Sequence, residues 1–265
     1  MIDICCNLTH TKLNAQLSQV LERALQAGVH TMIVTASDVA DSGAAIALAN
    51  QHTNCLWASV GTHPHQAEQW NDTSYETLRD LAVREKVVAI GETGLDYYRN
   101  LSSPKIQQSV FAQQIELAID TGLPLFMHQR DAHEDFIKIL KPYREHINNA
   151  VVHCFTGNRA MLEDYLALDL YIGVTGWICD DRRAADLRDA ITAIPDDRLL
   201  LETDAPYLIP RSLGKSFYNK PNEPAYLPYI AQDIAQRRKV EITDLIEQTI
   251  NNSYNFYSKA IMANR

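Results

Sequence analysis

Short apolar runs rich in Val, Ile and Leu alternate with longer amphipathic stretches along nearly the whole chain. The strand-like runs fall at 2–6, 30–36, 55–60, 87–92, 124–128, 150–153, 170–175 and 199–203, each followed by a helical or loop segment. This alternation of periods predicts a parallel sheet with crossover helices. Eight such units predict closure into an α/β fold, a single (β/α)8 TIM-type barrel with additional C-terminal helices. Local punctuation agrees. Ser103-Pro104 opens a periodic stretch that runs to Gly122, where Gly followed by Pro124 makes a helix stop, and Gly28 marks a similar one. After the eighth strand, 207–228 is rich in Pro, Gly and Asn, carries Arg211, Lys215 and Lys220, and reads as a long loop before the terminal helices. Low-complexity tracts, linkers and short-period repeats are missing from the sequence, so one domain over 1–265 is expected.

Composition restricts the setting. At 265 residues and 46% apolar side chains the chain can bury a barrel-sized core. No apolar run approaches the roughly 20 residues of a membrane span, and the start lacks a basic segment ahead of a long apolar one. Five scattered cysteines without a CxxC pair argue against a disulfide framework or a structural zinc cluster, so a cytoplasmic protein with no membrane partner, and a monomer, is expected. The net charge of −9 weighs against stable coating of duplex DNA, which needs a broad basic surface. Local binding of one nucleic-acid end remains compatible, since bound cations offset carboxylates that a formal count scores as bare charge.

In such a barrel the C-terminal ends of the strands open on one rim, where reactive side chains collect. The first strand ends near Cys5, Asn7 and Thr9, the third near His63 and His65, and the fourth at Glu92 with Asp96 beyond it. The fifth offers His128, the sixth His153, the seventh Trp177, and the eighth Glu202 and Asp204. A single histidine at a strand end is ordinarily a hydrogen-bonded core residue. Four histidines with carboxylates on one rim, from positions far apart in sequence, instead supply the neutral nitrogen and anionic oxygen donors of a divalent metal site, and leaving them unpaired would be costly. His with carboxylate suits Zn, Mn, Co or Fe, while Mg would retain several waters. Glu92 is placed to bridge if two metals bind.

Six ordered blocks then carry a resemblance over nearly the whole chain: Gly61-Thr62-His63-Pro64-His65, IGETGLDYYRN from Ile90, PLFMHQRDAHEDF from Pro124, VVHCFTG from Val151, YIGVTGW from Tyr171 and LLLETDAPYL from Leu199. Together they resemble the TatD-type metal-dependent deoxyribonucleases, within the amidohydrolase-like metal-dependent hydrolases. The resemblance implies a barrel hydrolysing nucleic-acid phosphodiesters, and in the family's exonuclease branch a Mg-supported 3′ to 5′ exonuclease acting on single-stranded DNA, with RNA as a further substrate, so that 3′ ends are the expected partners. It implies Glu92, His128 and His153 as metal ligands, Asp204 as completing ligand or base for water, and His63 and His65 as phosphate-facing or acid/base groups. Most of the family opens with Asp-x-His-x-His, whereas this chain has Asp3-Ile4-Cys5-Cys6-Asn7-Leu8-Thr9. Cys5 and Asn7 stand where two histidines would be, so one metal is expected, Mg in function with Mn or Zn alternatives, and a second that is weak or recruited with substrate. Cys5 itself reads as a buried strand cysteine.

The expected chemistry has Asp204 orient and deprotonate water while His63 or His65 protonates the leaving sugar oxygen. Arg130, Arg159, Arg211, Trp177 and Asn7 are the candidate substrate contacts, with Trp177, Tyr97 and Tyr98 as surfaces on which bases could stack. Arginines on loops are often only solvated charges, and aromatic residues at a barrel mouth often only packing. Asp96 and Glu202 could orient a ligand histidine, although an inward barrel carboxylate paired with a cation explains Glu202 equally well. Asp131 and His133 fit a helix N-cap and its first turn. Two other classes stay open: a hydrolase of small amides, esters or organophosphates, and a non-catalytic accessory protein with a decayed site.

Overall fold

A computed structural model of the chain describes residues 1–257. Eight strands, β1 (Ile2–Cys6), β2 (Thr31–Val34), β3 (Leu56–Val60), β4 (Val87–Asp96), β5 (Leu125–Arg130), β6 (Ala150–Val152), β7 (Tyr171–Val174) and β8 (Leu199–Leu201), lie side by side in sequence order. Every neighbouring pair is parallel. The ends of the sheet meet through a parallel bridge between Cys6 and Ala205, with Asn7 N donating to Ala205 O at 2.7 Å and Asp204 N to Cys5 O at 2.9 Å. The result is a nearly closed TIM-type barrel with helices between its strands.

The apolar runs are continuous rather than alternating because both faces of each strand are covered. Ile33, Phe126 and Leu200 turn into the barrel, while their neighbours Met32, Leu125 and Leu201 pack outward against the helices. The C-terminal helix Ile242–Tyr257 brings Phe256 and Tyr257 into the inner cluster, and the Tyr257 hydroxyl donates to Ile4 O at 3.2 Å. The interior is therefore apolar away from the mouth, and polar groups concentrate where the strands end.

Three sequence-based expectations change. The fourth strand runs on from 92 to Asp96, because it shifts register between Ile90 and Thr93 and continues beside β5 as far as the pair Asp96–Arg130. Gly91 sits at a φ of +142°, and a Cβ there would lie 2.2 Å from Phe126 O, so only glycine allows this approach. Asp131 is not an N-cap. It adopts a left-handed φ of 54°, and Ala132 takes the cap position of the helix His133–Leu140, which makes no side-chain cap bond. The stretch 207–228 is shorter as a loop than its composition suggests: it holds 3₁₀ turns at Arg211–Leu213, Lys215–Phe217 and Pro224–Tyr226, and a helix begins at Leu227. The helix Pro104–Thr121 starts behind Ser103 and ends on a left-handed Gly122, as its punctuation implies.

Candidate metal centre

The ends of β3, β4, β5 and β6 deliver four side chains to one point. Glu92 Oε1 lies 2.7 Å from His153 Nε2, 3.0 Å from His128 Nδ1 and 3.2 Å from His63 Nε2. Glu92 is only 6% exposed, so this carboxylate has little water to solvate it. Burial opposes its charge, yet His153, His63 and His128 outweigh burial and hold it well below the usual carboxylate range. The rings respond unequally. Burial lowers His63 to about 4, and Glu92 offsets this only in part. Burial also opposes charge on His153 and His128, but Glu92 and Glu202 raise His153 well above its ordinary value, and Asp96 and Glu92 raise His128.

Around this knot stands an outer set of carboxylates. Asp96 Oδ2 meets His65 Nε2 at 2.6 Å and lies 3.4 Å from His128 Nε2, a buried nitrogen with no aligned hydrogen-bond partner among the described residues. Glu202 Oε2 lies 3.3 Å from His153 Nδ1, while its other oxygen accepts from the backbone of Cys154. Gly173 makes room for it, since a Cβ there would stand 2.7 Å from Glu202 Oε1. Glu202 thus stands inward against the His153 ring, a contact that suits both an orienting group and a carboxylate paired with a cation.

The β8 and β1 side differs. Asp204, in a left-handed backbone at φ 54°, accepts from Asn7 Nδ2 at 3.1 Å and lies 3.8 Å from Cys5 Sγ. Burial pushes its carboxyl up to about 7, with His153 opposing the shift. Asp3, fully buried, accepts from Thr203 N at 2.9 Å and from the Thr203 hydroxyl at 2.6 Å, and burial pushes it up to about 8. Cys5 is fully buried and its thiol is pushed well up, as a strand cysteine would be.

These donors fit a divalent ion. His63, Glu92 and His128 present ligand atoms within 4.8 Å of one another, as do Cys5, His153 and Glu202. The unaligned His128 Nε2 and three imidazoles competing for one carboxylate oxygen are what a cation would relieve.

The structure brings His63 into the donor knot itself, beside Glu92, where burial lowers its pKa. Asn7 donates through Nδ2 to Asp204 Oδ1 and to Ala205 O, each at 3.1 Å. Arg130 and Trp177 share the wall of a cleft of about 680 Å³, whereas Arg159 and Arg211 do not line it. Arg159 is exposed and lies 3.7 Å from Glu163, and Arg211 stacks on Tyr218 at 3.7 Å, 4.0 Å from Asp180. Two residues escaped sequence reasoning. Gln114, fully buried, accepts from Thr62 N at 2.7 Å and donates to Thr62 O at 2.9 Å and to the Thr93 hydroxyl at 2.7 Å, pinning the neighbours of His63 and Glu92 together. Gln107, seven residues earlier on the same helix, accepts from Asp96 N at 2.8 Å. Their signal was two glutamines two turns apart on the helix face that also carries Val110 and Phe111.

Comparison with known proteins follows the same lines. A family model described as TatD related DNase matches residues 2–258. A protein of Erwinia amylovora named 3'-5' ssDNA/RNA exonuclease TatD is 47% identical over 253 residues, covering 96% of this chain and 98% of the relative. One of the same name from Edwardsiella piscicida is 44% identical over 260 residues, covering 98% and 100%. Among solved structures, a TatD homolog from Escherichia coli K12 superposes with a TM-score of 0.89 at 32% identity, covering 97% of each chain. A TatD family hydrolase from Entamoeba histolytica gives 0.86 at 28% identity, with 97% of each covered.

Proposed function

Because the chain belongs to the TatD related DNase family, an enzyme family of phosphodiester hydrolysis, we propose that it is a divalent-metal-dependent 3′ to 5′ exonuclease of single-stranded DNA and RNA. The observation that carries the reading is the convergence of His63, His128 and His153, from three different strand ends, on Glu92 Oε1. Glu92, His128 and His153, with Asp204, would hold the ion, with Mg, Mn or Zn as the ions to try. The ion, when bound, neutralises phosphate charge and lowers the pKa of a coordinated water.

The remaining work falls to the chain. Asp204, with a carboxyl pushed to about 7 and an oxygen fixed by Asn7, takes the proton of the attacking water. His65, steadied by Asp96 at 2.6 Å, gives a proton to the departing sugar oxygen. Glu202 fixes the ring of His153 from behind. The retention of this entire set supports an active enzyme over a decayed accessory protein.

The test uses metal-free protein reloaded with Mg, Mn or Zn and incubated with end-labelled single-stranded DNA, RNA and duplex, beside Glu92→Ala. A ladder shortening from the 3′ end of single strands, absent in the variant, is expected. Products released from the 5′ end, or equal cleavage by the variant, would overturn the assignment.

A further inference from the structure

The cleft beside the donor set has the wrong charge for gripping a nucleic-acid backbone. Its lining carries Asp131, Glu134, Asp135 and Asp186 against one guanidinium, Arg130. The nearby Arg183 is itself paired with Asp180 at 2.9 Å. A phosphodiester chain laid there would meet more negative than positive charge, without the lysines and arginines that usually release counterions.

What the cleft offers is aromatic surface. Tyr98 and Trp177 both line it. Arg130 lies over the Tyr98 ring at 3.7 Å and Arg183 over the Trp177 ring at 4.0 Å, so each ring has a guanidinium on one face. Tyr98 is 59% exposed despite this contact. Rings backed in this way lose little freedom when a flat ligand stacks on them. The cleft is also continuous with the metal centre along the chain: Tyr97 and Tyr98 follow Asp96, Gln129 and Arg130 follow His128, and Thr156 lies three residues past His153. The loops that wall the cleft are thus the direct continuations of the strand ends that carry the donors.

We propose that this cleft is a nucleobase subsite, taking one unpaired base that flanks the scissile phosphate and binding it by stacking rather than through its backbone. The proposal rests on the nuclease reading above and deepens it. It accounts for how a protein of net charge −9 can act on a polyanion, because the phosphate charge is met at the metal and the affinity comes from a ring. It also makes the base a reporter of strandedness, since a base stacked in its duplex cannot enter. Every base has a π face, so little sequence preference follows.

The experiment measures KM with metal-loaded wild type, Trp177→Phe, Trp177→Ala and Tyr98→Ala. The substrates are a single-stranded oligonucleotide and the same strand with tetrahydrofuran abasic residues at its last two 3′ positions. For the intact strand, the alanine variants should raise KM roughly tenfold, the size of one lost base stack, and Trp177→Phe should restore most of it. For the abasic strand, wild type should already show the raised KM, and the alanine substitutions should add less than about threefold. Wild-type KM for the intact strand should rise with salt at a log–log slope near one or below. Equal penalties on both strands, no rescue by Phe, or a slope of several units would overturn the subsite while leaving the nuclease in place. Wild-type hydrolysis of bis-p-nitrophenyl phosphate with no cleavage of any strand would instead remove the nuclease reading, and the subsite with it.

Discussion

The two sides of the barrel mouth solve the burial of charge in opposite ways. Toward β3–β6, Glu92 is ringed by three imidazoles and stays ionised well below its ordinary range. Toward β8 and β1, Asp3 is fully buried and Asp204 partly so, neither has an ion pair among the described residues, Thr203 and Asn7 hold them, and their carboxyls rise to about 8 and about 7. Desolvation thus meets imidazoles around Glu92 on one side and only neutral partners around Asp3 and Asp204 on the other. Neutral amides and hydroxyls orient a carboxylate without supplying the positive charge that would keep it ionised. On the function proposed above, the first side would hold a cation and the second would exchange a proton beside it.

Breaking the first side should have the largest effect. Glu92→Ala removes the anion shared by three imidazoles, so metal retention after gel filtration, read by elemental analysis, should be lost and 3′ trimming should fall to background. Retention of stoichiometric metal would place the ion elsewhere. On the second side, Asp204→Asn should keep the metal yet lower kcat by on the order of 10²- to 10⁴-fold, the usual contribution of a proton-transfer group. Loss of metal in this variant would move Asp204 to the ligand side and dissolve the contrast. A smaller effect is expected behind the knot, where Glu202→Gln should weaken metal affinity by about 10- to 100-fold, measured by competition with a chelating dye.

The smallest effect sharpens the contrast through stability. The folded Asp3 carboxyl titrates at about 8 against an ordinary 3.8, so the folded chain keeps a proton that the unfolded chain releases. Its contribution is fully present below pH 4, declines as pH rises toward 8, and is flat beyond. Metal-free protein should therefore resist urea better at pH 6 than at pH 8, with the raised His128 and His153 adding to the same slope. Asp3→Asn, which keeps an acceptor for Thr203 and cannot ionise, should flatten part of that decline. An unchanged slope in the variant would show that Asp204 and the imidazoles set it without Asp3.

The strand count, the rim and its donors were legible in the sequence because each rests on local pattern. Eight β-rich runs with helical intervals have one simple closure, and a residue at the end of an inward-facing strand has one place to go. The shared oxygen of Glu92 was not legible, since Glu92, His63, His128 and His153 meet only through the register of four strands. The partnership of Asp96 with His65 and His128 depends on β4 running past its glycines, a path set by how closely those glycines approach the β5 backbone. Gln114 was hidden for a similar reason, because a glutamine in an amphipathic helix reads as surface until the helix is laid against the rim.

The sequence by itself determined the barrel and which imidazoles and carboxylates stand at its strand ends. Those are consequences of period and residue type, which each segment carries alone. Only the tertiary structure decided which carboxylate is compensated and which is not, that burial lowers the pKa of His63, and that Arg130 and Trp177 share a cleft while Arg159 and Arg211 stand outside it. Charge state and shared space depend on distance and burial, and neither exists until the strands have closed.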